Sequence, residues 1–171
     1  DLKKVAMQFI KDRPNDRIGL VVFSGESFTQ CPITIDHQVL LNLFKDIQSG
    51  MVEDGTAIGM GLATAVARLK ESKSKTKVII LMTDGVNNMG YIDPYTSIQI
   101  AKTFGVRVYT IGIGKNGNAP YPVKDQNGRT YYQSFPVQID EPLLRKIAQE
   151  TGGSYFRATN NKKLYSELRQ F

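Results

Sequence analysis

Lys77-Val78-Ile79-Ile80-Leu81-Met82-Thr83-Asp84-Gly85 is the stretch on which the reading of this chain turns. Residues 78–82 are its longest unbroken apolar run, and Val and Ile suit a strand covered on both faces. Thr83-Asp84-Gly85 then stops the run with turn chemistry. Five apolar residues are far short of the ~20 that a membrane-spanning helix requires. Helical patterns flank the strand. Before it, Ile58, Leu62, Ala65, Val66 and Leu69 share one face. After it, Asp93-Pro94 opens a helix carrying Ile98, Ala101 and Phe104, which closes at Gly105.

The same alternation continues outward. Residues 2–12 place Leu2, Val5, Ala6, Phe9 and Ile10 on one helical face, and Pro14-Asn15-Asp16 breaks the helix. Residues 18–23 read as a strand buried on both faces, and 28–35, with Pro32, as an edge strand. Asp36 caps a helix with Val39, Leu40, Leu43, Phe44 and Ile47 inward. Residues 106–111 form a further strand. Residues 115–138 are an irregular insert with three prolines, in which 123–126 and 129–132 can flank Asn127-Gly128 as a small hairpin. Asp140 starts a helix that Gly152-Gly153 ends, followed by a strand at 154–157 and a helix at 161–170. Strands alternating with helices predict one α/β domain over 1–171: an open, doubly wound, mainly parallel sheet with helices on both faces and one antiparallel edge strand.

Composition narrows the function. The chain has 171 residues, 22 Lys+Arg and 16 Asp+Glu, a net charge of +6. Basic residues are scattered and often sit near acids. The densest run, Arg68-Leu69-Lys70-Glu71-Ser72-Lys73-Ser74-Lys75-Thr76-Lys77, falls at a helix end, where cations complement the helix dipole. The sequence reading is therefore no nucleic-acid partner. One cysteine, Cys31, and one histidine, His37, exclude an internal disulfide and a Cys/His zinc site.

In an open parallel sheet, ligands bind beyond the carboxyl ends of the strands. That rule selects Ser24 to Ser27, the loop at Asp84 with Asn87 and Asn88, and the insert, joined by Asp54-Gly55-Thr56 at a helix start. Thr56 and Asp84 supply a hydroxyl and a carboxylate, a donor set for a hard divalent cation such as Mg²⁺. Two such oxygens are too few for tight binding. Ser24, Asp54, Asn87 and Asn88 stand near them, and Tyr121, Tyr131 and Tyr132 of the insert are candidate recognition residues beside this face.

Three features together carry a family resemblance: residues 18–23 running into Ser24; Asp54-Gly55-Thr56 opening a helix through Gly59, Gly61, Leu62 and Ala65; and residues 78–82 running into Thr83-Asp84-Gly85. They resemble a von Willebrand factor type A domain over nearly the whole chain. Asp12-Arg13-Pro14 through Phe23-Ser24-Gly25, with the insert before Asp140-Glu141, is similar to the bacterial aerotolerance (Bat) membrane proteins, BatA-like. The resemblance implies a non-enzymatic interaction module with a metal-ion-dependent adhesion site. Thr56 and Asp84 match two of that site's loops. Its first loop, Asp-x-Ser-x-Ser, occurs nowhere in the 171 residues.

The resemblance also implies an N-terminally truncated domain, lacking the central strand between 18–23 and 78–82. With strands ~4.8 Å apart, such a gap is about 10 Å wide and has two unpaired inner edges. The expectation is that the strands close up, another segment fills the slot, or two chains pair there as a dimer. Mg²⁺ binding should then be weak or absent in this chain. The implied parent is anchored in the bacterial inner membrane, with this domain outside the bilayer and a protein partner presenting a carboxylate. The alternative is a Mg²⁺-dependent phosphoryl-transfer enzyme using Asp84, which would need a second carboxylate and a phosphate cradle that the sequence does not show. Gly112-Ile113-Gly114-Lys115-Asn116-Gly117 fits G-x-G-x-x-G, but Pro120 and Pro122 follow where a dinucleotide fold needs a helix.

Overall fold

The computed structural model describes residues 2–48, 51, 55–85, 90–114, 117–137 and 139–171. The elements in order are α1 (Leu2–Lys11), β1 (Ile18–Phe23), β2 (Ser27–Thr34), α2 (His37–Lys45), α3 (Ile58–Leu69) and β3 (Val78–Thr83). Then follow α4 (Pro94–Thr103), β4 (Arg107–Ile113), β5 (Gly117–Lys124), β6 (Thr130–Val137), α5 (Glu141–Thr151), β7 (Tyr155–Ala158) and α6 (Asn161–Leu168). Local chemistry sets the helix starts. The carboxylates of Asp36, Asp93 and Asp140 accept from the backbone N–H groups of Val39, Tyr95 and Leu143. Gly152, at φ 80°, takes the left-handed turn that ends α5.

The apolar run singled out above becomes β3. It pairs in parallel with β4 from Val78↔Arg107 to Thr83↔Gly112, and β4 pairs in parallel with β7. Successive side chains point to opposite faces. Ile79 and Leu81 of β3 and Val108 of β4 pack under α3, α4 and α5, against Ile58, Leu62, Ile98, Leu144 and Ile147. Ile80, Met82 and Ile111 face α1 and α6, against Val5, Leu164 and Leu168. Helices therefore cover both faces, α1 packing on α2 and α6, and α4 on α3 and α5.

β1 and β2 form a separate antiparallel pair, covered by Ala6, Ile10, Leu40 and Phe44 of α1 and α2. Among the described residues no backbone ladder joins β1 to β3. Side chains bridge what hydrogen bonds do not. Met82 of β3 packs into the cluster under α1 and α2, and Phe23 of β1 packs into the cluster under α3. β1 was expected to be buried on both faces, yet its residues are half-buried or, at Gly19, exposed. The cause is the open flank: an apolar strand lacking a neighbour on one side leaves its edge and part of its side chains to water.

Two further expectations change. The insert is ordered into β5 and β6, paired residue by residue from Gly117↔Val137 to Lys124↔Thr130. Pro120, Pro122 and Pro136 share one parity, where alternate N–H groups of an antiparallel strand point away from the partner, so the ladder loses nothing. The turn closes through Asp125, whose carboxylate accepts from the N–H groups of Asn127 and Arg129. Val39, expected inward, is 45% exposed; Leu40, Leu41 and Phe44 carry the buried face of α2.

Candidate functional site

The carboxyl ends of β1 and β3 meet the start of α3. As β1 ends, the Ser24 N–H donates to the Glu26 carbonyl at 2.8 Å and turns the chain. The Ser24 hydroxyl donates to the Gly55 carbonyl at 2.9 Å, and the Ala57 N–H donates to the Ser24 carbonyl at 2.6 Å. Ser24 thus stitches β1 to the loop carrying Thr56. Gly61 lets α3 lie close on β1, since a Cβ there would stand 2.7 Å from the Phe23 ring.

β3 ends in a tight bend, with the Thr83 hydroxyl accepting from the Gly85 N–H at 3.2 Å. The bend presses Gly85 against Thr56: a Cβ on Gly85 would stand 2.6 Å from Thr56 Oγ1. Three loops therefore converge, with Thr56 half-buried between them and Asp84 exposed at the rim. Asp54, Asn87 and Asn88 lie outside the described residues. Tyr131 and Tyr132 are neighbours on β6, 47% and 72% exposed. Tyr121 lies on β5 opposite Gln133, and its side chain is outside the described set.

A hydroxyl and a carboxylate are oxygen donors of the kind Mg²⁺ takes, so the residues fit a hard cation in kind. They fall short in number: two donors against about six coordination positions. Among the described residues no group of three or more His, Cys, Asp or Glu could hold a metal.

One cluster escaped the sequence reading. The two roots of the β5–β6 hairpin are Gly114 and Glu141, and Arg157 of β7 holds both. Its Nε donates to the Gly114 carbonyl at 2.9 Å, and its Nη1 lies 2.8 Å from Glu141 Oε1. The Tyr155 hydroxyl donates to the same Glu141 oxygen at 2.6 Å, with the Arg145 guanidinium 4.7 Å over the Tyr155 ring. The Tyr155 bond first, then Arg157, hold the Glu141 carboxyl below its ordinary value. Burial first, then Glu141, push the Tyr155 hydroxyl up. These residues are spread from 114 to 157, so no local pattern announces them.

Neither Cys31 nor His37 is placed for nucleophilic chemistry. Cys31 is buried, and burial pushes its thiol up, against thiolate formation. His37 Nε2 is engaged with the Asp16 carbonyl at 2.6 Å.

The von Willebrand factor type A domain profile matches residues 2–170. This chain belongs to that family. An uncharacterized protein of Borreliella burgdorferi is 31% identical over 169 residues, 99% of this chain and 50% of the relative. The chain spans about half the length of the curated relatives it matches. Among solved structures, an aerotolerance-related membrane protein from Bacteroides fragilis superposes with a TM-score of 0.80 at 26% identity, covering 99% of this chain and 85% of that one. BatB from Bacteroides thetaiotaomicron gives 0.74 at 27% identity, with the same coverages of 99% and 85%. A mussel byssus protein described with a zinc-occupied metal site shares the fold, at TM-score 0.73 and 20% identity over 99% of this chain and 38% of that one. The family is one of interaction modules, metal-dependent adhesion domains among them. No helix of the described residues is long and apolar enough to cross a membrane.

Proposed function

We propose that this von Willebrand A domain is a non-enzymatic protein-interaction module whose carboxyl-end face takes an acidic side chain from a protein partner. Thr56 and Asp84 contribute to a divalent-cation site shared with that carboxylate. Ser24, which bonds the loop carrying Thr56, together with Asp54, Asn87, Asn88 and the hairpin tyrosines Tyr121, Tyr131 and Tyr132, would recognise the ligand. The observation that carries this reading is the contact of Gly85 with the Thr56 hydroxyl, which holds the β3 loop against the start of α3. A zinc-occupied site in a protein of the same fold supports the metal. The membrane description of the Bacteroides fragilis neighbour supports a bacterial membrane-anchored parent with this domain outside the bilayer. Among the described residues β1 pairs only with β2 and β3 only with β4, and these open edges further support association of two chains edge to edge.

The test is calorimetric titration of this chain with Mn²⁺, without and with acetate as a carboxylate probe. Two protein donors predict millimolar or weaker binding, tightened by acetate and removed by Thr56→Ala or Asp84→Ala. Sub-millimolar binding without acetate, or binding indifferent to both substitutions, contradicts the reading.

A further inference from the structure

The amino-end face of the sheet lies opposite the Thr56/Asp84 face, separated from it by the six-residue β3, about 20 Å. The basic residues that look scattered in sequence come together there. Arg17, just before β1, joins Arg68, Lys70 and Lys73, from the end of α3 and the turn after it, around an open groove of about 820 Å³. Glu71 is the one acid among its lining residues. Lys75 and Lys77 continue the patch toward the start of β3, where the Arg107 N–H donates to the Lys77 carbonyl at 3.0 Å.

Apolar side chains also stand exposed at this end of the strands. Ile33 lines the groove, and Ile35, two residues on, is 69% exposed. Ile35 follows Thr34, which pairs with Ile18 beside Arg17. Phe104, in the turn leading to β4, and Val78, opposite Arg107 at the first rung of the β3–β4 ladder, are 43% and 37% exposed.

We infer that this face docks on an anionic phospholipid bilayer. Lysines and arginines meet the negative surface of such a leaflet, and exposed aliphatic and aromatic side chains reach the boundary of headgroups and acyl chains. The apolar members distinguish this partner from a nucleic acid: Ile35 and Val78 gain nothing from a phosphate backbone, and one aromatic side chain, Phe104, is no platform for successive bases. Docking in this sense leaves the carboxyl-end face pointing away from the membrane. The inference stands apart from the metal reading, since no residue is shared.

The test is co-sedimentation of the chain with vesicles of phosphatidylcholine containing about 30% phosphatidylglycerol, against pure phosphatidylcholine, over a salt series. The expected result is binding to the anionic vesicles alone, weakening as salt rises. The triple variant Lys70→Glu/Lys73→Glu/Lys75→Glu should lose at least about tenfold in affinity, and Ile35→Ser a few-fold at unchanged charge. Lys124→Glu/Arg129→Glu on the distant hairpin should bind as the parent does, and circular dichroism confirms that each variant is folded. Failure to bind anionic vesicles, equal binding to neutral ones, or full binding by the triple variant overturns the inference. Tighter binding to duplex DNA than to vesicles, with Ile35→Ser without effect, overturns it in favour of a nucleic acid.

Discussion

Gly85 sits where a side chain has no room, because its missing Cβ is the space that the Thr56 hydroxyl occupies. Gly85→Ala must push Thr56 or the Asp84 loop aside. The expected loss is about 1–3 kcal/mol in urea unfolding, with weakened Mn²⁺ binding; a change within about 0.5 kcal/mol would mean that the loop yields freely. Thr56 and Asp84 were legible as candidates because strand ends and helix starts are written locally. Gly85 read as plain turn chemistry, since its close approach to Thr56 depends on how two distant loops pack. The Glu141–Arg157–Tyr155 cluster is illegible for the same reason. It also gives a pH dependence. The Glu141 carboxyl is depressed in the folded chain, chiefly by the Tyr155 bond. Its contribution is fully present above the unfolded value of about 4.3 and is lost as pH falls through the lower folded value. Hydrogen exchange at Gly114 and Glu141 should therefore speed up below pH of about 4 beyond its intrinsic trend, and Glu141→Gln should abolish that excess. An unchanged pH profile in the variant would contradict this.

At the scale of elements, the periodic segments were read almost to their ends, since burial on one face writes a 3.6- or 2-residue period into the sequence. The hairpin was under-read because three prolines argue against strands unless their shared parity is noticed. Neither β5 nor β6 packs substantially on another element among the described residues; each packs chiefly on the other. An isolated two-stranded hairpin is marginal by itself. Its amides should exchange well before those of β3 and β4, and replacing 117–137 with a short glycine linker should leave Tm within about 2 °C. A larger drop would show that the hairpin is part of the core. If the hairpin flanks the ligand face as proposed, the same deletion should weaken partner binding while the fold persists.

For the whole molecule, the open flank between β1 and β3 dominates. Among the described residues, two helix layers and bridging side chains such as Met82 and Phe23 hold β1–β2 against β3–β4–β7 without a ladder. Apolar β1 stays half-buried. Such a molecule should bind a hydrophobic dye and associate with rising concentration in sedimentation velocity; a monomer at every concentration, with no dye binding, would contradict the edge-pairing proposal. The doubly wound architecture was legible from the alternation of elements. That β1–β2 and β5–β6 stand apart from β3–β4–β7 among the described residues is a matter of long-range strand order, which no local pattern encodes. At the opposite end of the strands, three loops meet at Thr56. The cation site proposed there can be located by adding trace Mn²⁺ to isotope-labelled protein and mapping paramagnetic broadening of the backbone amides. Broadening centred on Thr56, Asp84 and Gly85, and lost in Asp84→Ala, is the predicted result. Broadening centred on other acidic residues, or unchanged by that substitution, would contradict it.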